Sequence, residues 1–519
     1  MTRLLLLLVV SALLHPPHGC ISVCPKKCVC DKEVLSVQCF RVQAVPSGIP
    51  TDTRRLNLAY NHIKDLKGRD LSSLGGLEEV VLSSCGVEGL EAGALRAQEG
   101  LRTLDLQNNK LRQLPRGLPP SLEILHLGHN RLQGLGEAAL EGLRRLRLLD
   151  LQHNHLSSLR AGVLANLVRL ETLLLEGNRI ETVQGSLRLP QLNLVSLAHN
   201  KIPSFPSAFF SQTKSLRTLS LQGNLLTRVP PGLPHSLCLL DLGRNQVRAL
   251  RSREMAHLRN LSSLSLSHNR LGSVDGGLRL PSLVELEVAG NMLRAIPSRL
   301  SPRLERLDCR QNLLQEVTQQ QVSGLKQLKH LFLENNTIRS FEANALKNSG
   351  HLTNLALEQN LLVSIPAGLP ESLVRLDLKG NRLQTVQEQE LRSLKRLQVL
   401  NLRRNRLYSL PPATPYLLPR LKSLYLDGNP WNCSCVLQSL TRALRDRGVE
   451  LPNEPCSQEP IKEAGGTTGD GAGWRLYMAE RHRCEGEEPV IRDTDYDDEV
   501  ANGQDEQTDS EEYYDYDGM

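Results

Sequence analysis

Aromatic side chains are scarce in this chain: six Phe, nine Tyr and two Trp make up 3% of 519 residues. A core built on large rings is thereby excluded, and leucine has to supply the packing. Beyond the N-terminus no apolar stretch reaches the roughly 20 residues a membrane-spanning helix needs, so the chain reads as not membrane-spanning. Also missing are a nucleophile elbow, an H-E-x-x-H pair and a phosphate loop. The close glycines of "GTTGDGAGW" (466–474) lack the strand–turn–helix context of a phosphate cradle. The sequence therefore reads as non-enzymatic, with no catalytic residue, no cofactor and no metal site assigned.

What is present begins with "MTRLLLLLVVSALLHPPHGC": one early Arg, an apolar run from Leu4 to Leu14, then Pro-rich and small residues. That is the layout of a secretory signal peptide, assigned to residues 1–22 with cleavage between 19 and 22, a choice that decides the fate of Cys20. Export makes the 12 cysteines candidates for disulfides. Eight fall in two clusters that bracket the chain, Cys24, Cys28, Cys30 and Cys39, then Cys433, Cys435, Cys456 and Cys484. Four cysteines at an end are the usual staple for a terminus without a core of its own; C-x-C pairs also suit zinc, which export disfavours.

Between the clusters one motif recurs, as in "LRTLDLQNNKL" from Leu101, "LSSLSLSHNRL" from Leu261 and "LVRLDLKGNRL" from Leu373. Seventeen units fit L-x-x-L-x-L-x-x-N-x-L, from Asn61 to Asn429, with Cys85 in place of the second Asn and spacings of 21, 22 or 24 residues. The alternation around x-L-x-L predicts a short strand whose leucines point inward and whose intervening residues face outward. The Asn amide can satisfy backbone groups that the following turn leaves unpaired, and stacking buries a leucine core no single unit could bury. The expected fold is α/β: a right-handed leucine-rich repeat solenoid of about 17 repeats, a curved parallel sheet with disulfide caps.

The 21-residue units carry proline segments such as "QLPRGLPPSL" (113–122) and "SIPAGLPESL" (364–373), expected to be extended, while longer units have room for a helical turn. Cys309 takes a core leucine position and Cys238 a variable one; their units lie about 14 Å apart at strand spacing, so both are expected as free thiols, Cys309 buried. The resulting organisation is an N-terminal cysteine-rich cap (23–52), repeats (53–429), a C-terminal cysteine-rich cap (430–484) and an acidic tail (485–519).

Caps and repeats together resemble the extracellular small leucine-rich proteoglycan family. "CPKKCVCDKEVLSVQC" resembles that family's N-terminal cap, which implies Cys24–Cys30 and Cys28–Cys39 bonds. "NPWNCSC" with Cys456 and Cys484 is similar to a four-cysteine C-terminal cap, implying Cys433–Cys456 and Cys435–Cys484. The resemblance also implies the function: a secreted extracellular-matrix protein that binds extracellular proteins, sequestering or inhibiting a transforming growth factor beta-type ligand, or else acting in collagen binding or cell adhesion.

The outward strand positions are the candidate concave binding face: Asp105, His126, Asp150, Arg217, Asp241, Glu285, Glu287, Arg306, Asp308, His330, Arg375, Asp377, Arg403 and Tyr425. Some of these are expected only to solvate the sheet. His126, His129 and His153 fall on neighbouring repeats, but read as repeat-surface residues before zinc ligands. Glycosylation sequons stand at Asn260, Asn335 and Asn432, the last with a cysteine as its middle residue. Basic clusters at Arg144, Arg145 and Arg147, at Arg244 to Arg259 and at Arg392 to Arg406 read either as a surface for heparan sulfate or other polyanions or as a solvated convex face; export excludes nucleic acid.

The tail is the opposite pole. Residues 485–519 hold fifteen Asp/Glu and one Arg, a charge of −14, which leaves +20 on residues 1–484 against a total of +6. Its low apolar content predicts disorder, and Tyr496, Tyr513, Tyr514 and Tyr516 among carboxylates are expected sulfation sites.

Overall fold

The computed structural model describes residues 24–136, 139–275, 277–452 and 455, all within one compact unit, 1–462. The signal segment, Cys20, Cys456, Cys484, residues 466–474 and the tail with Tyr496, Tyr513, Tyr514 and Tyr516 lie outside the described residues.

Each repeat contributes one three-residue strand, because only the x-L-x segment is extended before the turn begins. Thr103–Asp105, for example, pairs in parallel with Glu79–Val81 on one side and Ile124–His126 on the other. The sheet has 19 strands; two are the antiparallel hairpin Cys28–Asp31 and Ser36–Cys39, and the other 17 are the repeats. Ser36–Gln38 runs parallel to Arg55–Asn57, so the cap continues the sheet directly. Cys24–Cys30 and Cys28–Cys39 bonds hold that hairpin. Each repeat puts its strand leucine and flanking leucines inward, and Leu104, Leu106, Leu125 and Leu127 are all 0% exposed.

The buried Asn joins one turn to the next. Asn224 places Nδ2 within 2.9 to 3.4 Å of the Leu197, Leu221 and Gln222 carbonyls, while its Oδ1 accepts the Ile202 amide at 3.0 Å. One side chain thus satisfies groups in two consecutive repeats that water cannot reach. Cys85 keeps half of this arrangement: its thiol donates to the Leu58 carbonyl at 2.9 Å. A thiol supplies no carbonyl acceptor, and the Ile63 amide instead donates to the main-chain oxygen of Cys85 at 3.1 Å.

The residue before each ladder position, from Tyr60 to Gly428, has positive φ in every repeat. That requirement explains the Gly, Asn and His residues found there. At Gly223 a Cβ would lie 2.7 Å from Nδ1 of His199, so the glycine also admits the preceding imidazole.

Six short helical turns occur among the described residues before the C-terminal cap: Gly68–Asp70, Ala161–Leu164, Ser252–Met255, Gln319–Val322, Glu388–Leu391 and Thr414–Leu417. All sit in 24-residue units, and the proline-bearing 21-residue units carry none, as the room available dictates. Among the described residues, four small parallel pairs stand beside the main sheet, such as Ser158–Arg160 with Thr182–Gln184, and the repeat motif carries no signal for them. At the C-terminal end the helix Cys435–Asp446 buries Leu437, Leu440 and Leu444. Beyond it Glu450 extends the sheet by bridging Ser423. Trp431 donates its indole N–H to the Leu426 carbonyl at 2.8 Å. Cys433 and Cys435 are both disulfide-bonded.

Cys85, Cys238 and Cys309 are free thiols, the first and last buried. Burial raises the pKa of both Cys85 and Cys309. A thiol reagent should therefore label Cys238 in the native protein and reach Cys85 and Cys309 only after unfolding, as read by mass spectrometry. Asn224→Ala should cost about 2–4 kcal/mol in a denaturant titration, because it strips partners from several buried backbone groups at once.

Candidate binding face of the sheet

In the motif L-x-x-L-x-L-x-x-N, the third, fifth and seventh residues of each repeat alternate to the outward face. Most residues expected there are placed there: His330, Glu285, Arg306 and Arg375 at the third position, Asp105, His126, Asp150, Asp241, Glu287, Asp308, Asp377 and Tyr425 at the fifth, and Arg403 at the seventh. Arg217 is a correction. It precedes the strand Thr218–Ser220, and its carbonyl accepts the amides of Cys238 and Leu239, so it stands at the sheet margin beside the positions of Arg147 and Cys238.

The fifth-position aspartates have a second task that the strand pattern does not show. Asp105, Asp150, Asp241, Asp308 and Asp377 each accept, through Oδ1, the amide two residues on, at 2.9–3.1 Å. These Asx turns end the strand, and Asn57 and Asn401 do the same. Asp150, Asp308 and Asp377 are accordingly buried, at 1%, 2% and 7% exposure, rather than open to a ligand. Asp241 keeps partial exposure, and burial raises its pKa.

Side chains on the face interlock across repeats. Asp150 Oδ2 accepts from Gln107 at 2.9 Å and lies 3.5 Å from His126 Nδ1. His129 and His153 stack at 4.4 Å. Among the described residues no three His, Cys, Asp or Glu side chains are grouped to hold a metal. Arg306 lies 4.5 Å over the Phe332 ring, and Arg403 lies 4.4 Å over Tyr425 while pairing with Asp427. Burial, with help from Arg306 and Lys329, lowers the His330 pKa. Glu287 sits 3.8 Å from Arg306, and Glu285 accepts from Ser263.

Two classes of outward residue escape the sequence reading. Ile124, Leu148, Leu174, Leu194 and Phe332 occupy outward positions, where a leucine-rich motif invites reading every leucine as core. The seventh position, just past the strand, holds Gln107, Arg310, Glu334 and Glu358; continuing the two-residue alternation past the strand end would have found them. Asn260 and Asn335 are exposed in the repeats, and Asn432 is exposed beside the disulfide-bonded Cys433.

Leucine rich repeat family patterns match residues 120–180, 214–271, 302–362 and 371–430, with a further match at 100–120. The chain is 45% identical to mouse nephrocan over 468 residues, 90% of each chain. It belongs to the small leucine-rich repeat proteoglycan family. Mouse podocan-like protein 1 is 32% identical, covering 66% of this chain and 55% of the relative, and bovine osteomodulin is 29% identical, covering 66% and 67%. A leucine-rich repeat protein of Leptospira interrogans aligns over 79% of this chain and 93% of its own, with a TM-score of 0.55 and 25% identity. The Drosophila Toll–Spatzle complex in glycosylated form contributes a chain that aligns over 80% of this one and 60% of its own. At 23% identity and a TM-score of 0.67 that likeness concerns the fold alone. Proteins of the proteoglycan family are secreted, non-enzymatic components of the extracellular matrix, and this member is likewise not an enzyme. No helix among the described residues is long and apolar enough to cross a membrane.

The face also sets a pH dependence. Burial raises the Glu334 pKa from 4.5 to about 8 and that of Glu358 to about 7. Between pH 4.5 and 8 the unfolded chain has lost protons that the folded chain keeps, so stability falls as pH rises through this window. Glu334→Gln should flatten the fall and raise stability at pH 8.5, by about 1–3 kcal/mol in denaturant titrations at several pH values.

Proposed function

We propose that this chain is a secreted extracellular-matrix binding protein that sequesters or inhibits a transforming growth factor beta-type ligand through the outward face of its sheet. The observation that carries the reading is the face itself: 17 in-register strands presenting charged residues, with Phe332, Tyr425 and Leu239 among them. Aromatic anchors within a polar surface suit a folded protein partner. The family resemblance supplies the ligand class, since its members engage such growth factors or collagen. Collagen binding or cell adhesion is the competing role within that family.

Basic side chains outside the face are the heparan sulfate candidates. Arg147 is held by Glu171 through bonds of 2.9 and 3.0 Å, which leaves Arg144 and Arg145 as the more available members of their cluster. The acidic tail, with sulfation expected at Tyr496, Tyr513, Tyr514 or Tyr516, competes for such basic surface at high effective concentration.

The test uses secreted protein, intact and truncated after Cys484, against a transforming growth factor beta dimer and fibrillar collagen across a salt series. Growth-factor binding without collagen binding is the expected result; collagen binding alone transfers the protein to the adhesion class. Truncation should strengthen heparin binding, and an intact mass showing only unmodified tyrosine would remove sulfation from the account.

A further inference from the structure

Among the described residues, two adjacent repeats each place a buried, unpartnered carboxyl oxygen at the same motif position. Glu334 and Glu358 stand at the seventh position of neighbouring repeats, two residues past the strands His330–Phe332 and Asn354–Ala356, which pair in register. Strand spacing places them side by side, about 4.8 Å apart along the sheet. Glu334 is 7% exposed. Oε2 of Glu334 and Oε2 of Glu358 are both buried, and neither has a hydrogen-bond partner.

The neighbouring cations do not neutralise the pair. On the preceding repeat, Arg310 is committed to Asp308 through bonds of 2.6 to 3.0 Å, and its guanidinium lies 5.5 Å from the centre of the Phe332 ring. On the following repeat, Arg375 lies 4.0 Å from Asp377, which also accepts the Asn401 side-chain amide at 2.9 Å and the Lys379 main-chain amide at 3.0 Å. Lys379 and Arg375 favour the charged form of Glu358, but burial and Asp377 outweigh them and its pKa stays raised. Between Phe332 and Asp377, the register puts only the methyl group of Ala356.

An unpaired carboxylate held away from water costs folding free energy, and a matching cation delivered from outside recovers it. We propose that Glu334 and Glu358 form a receiving site for one cationic side chain, a lysine or arginine, of a protein partner docked on the outward face. The partner's aliphatic stem lies over Ala356 against the Phe332 edge, and its charged head lies between the two carboxylates. Burial in the complex makes this pair a dominant contributor to affinity, whereas exposed ion pairs elsewhere on the face contribute little. Among the described residues no third acidic, His or Cys side chain is grouped with them to hold a metal ion. Protons compete with the incoming cation, so binding strengthens as pH rises from 6.5 to 8.5, in keeping with raised pKa values of about 8 and 7.

This inference rests on the outward face being the binding surface, yet its test needs no growth factor or collagen, so its failure leaves that reading standing. Secreted full-length protein is mixed with a tetralysine peptide, with the same peptide acetylated on every amine, or with calcium. Hydrogen exchange is followed in the segment 330–360, which separates this site from peptide held on the acidic tail. The expected result is protection by tetralysine alone, growing with pH. Glu334→Gln/Glu358→Gln, near-isosteric and relieved of buried charge, should fold with an unchanged or higher melting temperature and need at least tenfold more peptide for the same protection. Glu285→Gln, an acid removed elsewhere on the face, should behave as wild type. Equal protection by the acetylated peptide, equal loss in Glu285→Gln, no protection of 330–360, or protection by calcium in place of tetralysine would each overturn the proposal.

Discussion

The structure depends on satisfying the backbone where each strand turns back into the leucine core. A three-residue strand ends inside the molecule, and the carbonyls and amides of its turn are cut off from water. The Asn amide meets both needs, donating to carbonyls of its own and the preceding repeat and accepting an amide from the preceding one. Repeats are thus joined by buried polar bonds as well as by leucine contacts. Cys85 shows how much the arrangement tolerates: the thiol keeps a donated bond, and the main chain supplies the acceptor it lacks.

The same turn dictates the residues around it. A left-handed residue must precede the ladder position, and an Asp or Asn at the fifth position caps the strand by accepting the amide two residues later. Much of the acidic character of the sheet face therefore has a structural origin. Residues free of those duties at the third and seventh positions are where binding can be specialised, and Glu334 and Glu358 are the clearest case because one oxygen of each, Oε2, is buried without a hydrogen-bond partner.

This division suits a matrix binding protein. A rigid sheet, stapled at its N-terminal end by two disulfides and extended at its C-terminal end by Glu450, presents fixed side chains at little ordering cost on binding. By sequence, residues 1–484 carry a charge of +20 and residues 485–519 a charge of −14, so the two parts suit partners of opposite charge.

Sequence alone determined the repeat number, the strand positions, the room for helical turns in the longer units and the placement of Cys238 and Cys309 in separate turns, because each follows from a period of two within a period near 24. Only the tertiary structure decided which outward side chains are spent. The burial of Asp150, Asp308 and Asp377, the displacement of Arg217 from its strand, the outward leucines and the unpaired oxygens of Glu334 and Glu358 arise from contacts between residues some 21–43 positions apart. A one-dimensional pattern fixes which way a side chain points, but its solvation depends on the neighbours that the stacking of adjacent turns brings beside it.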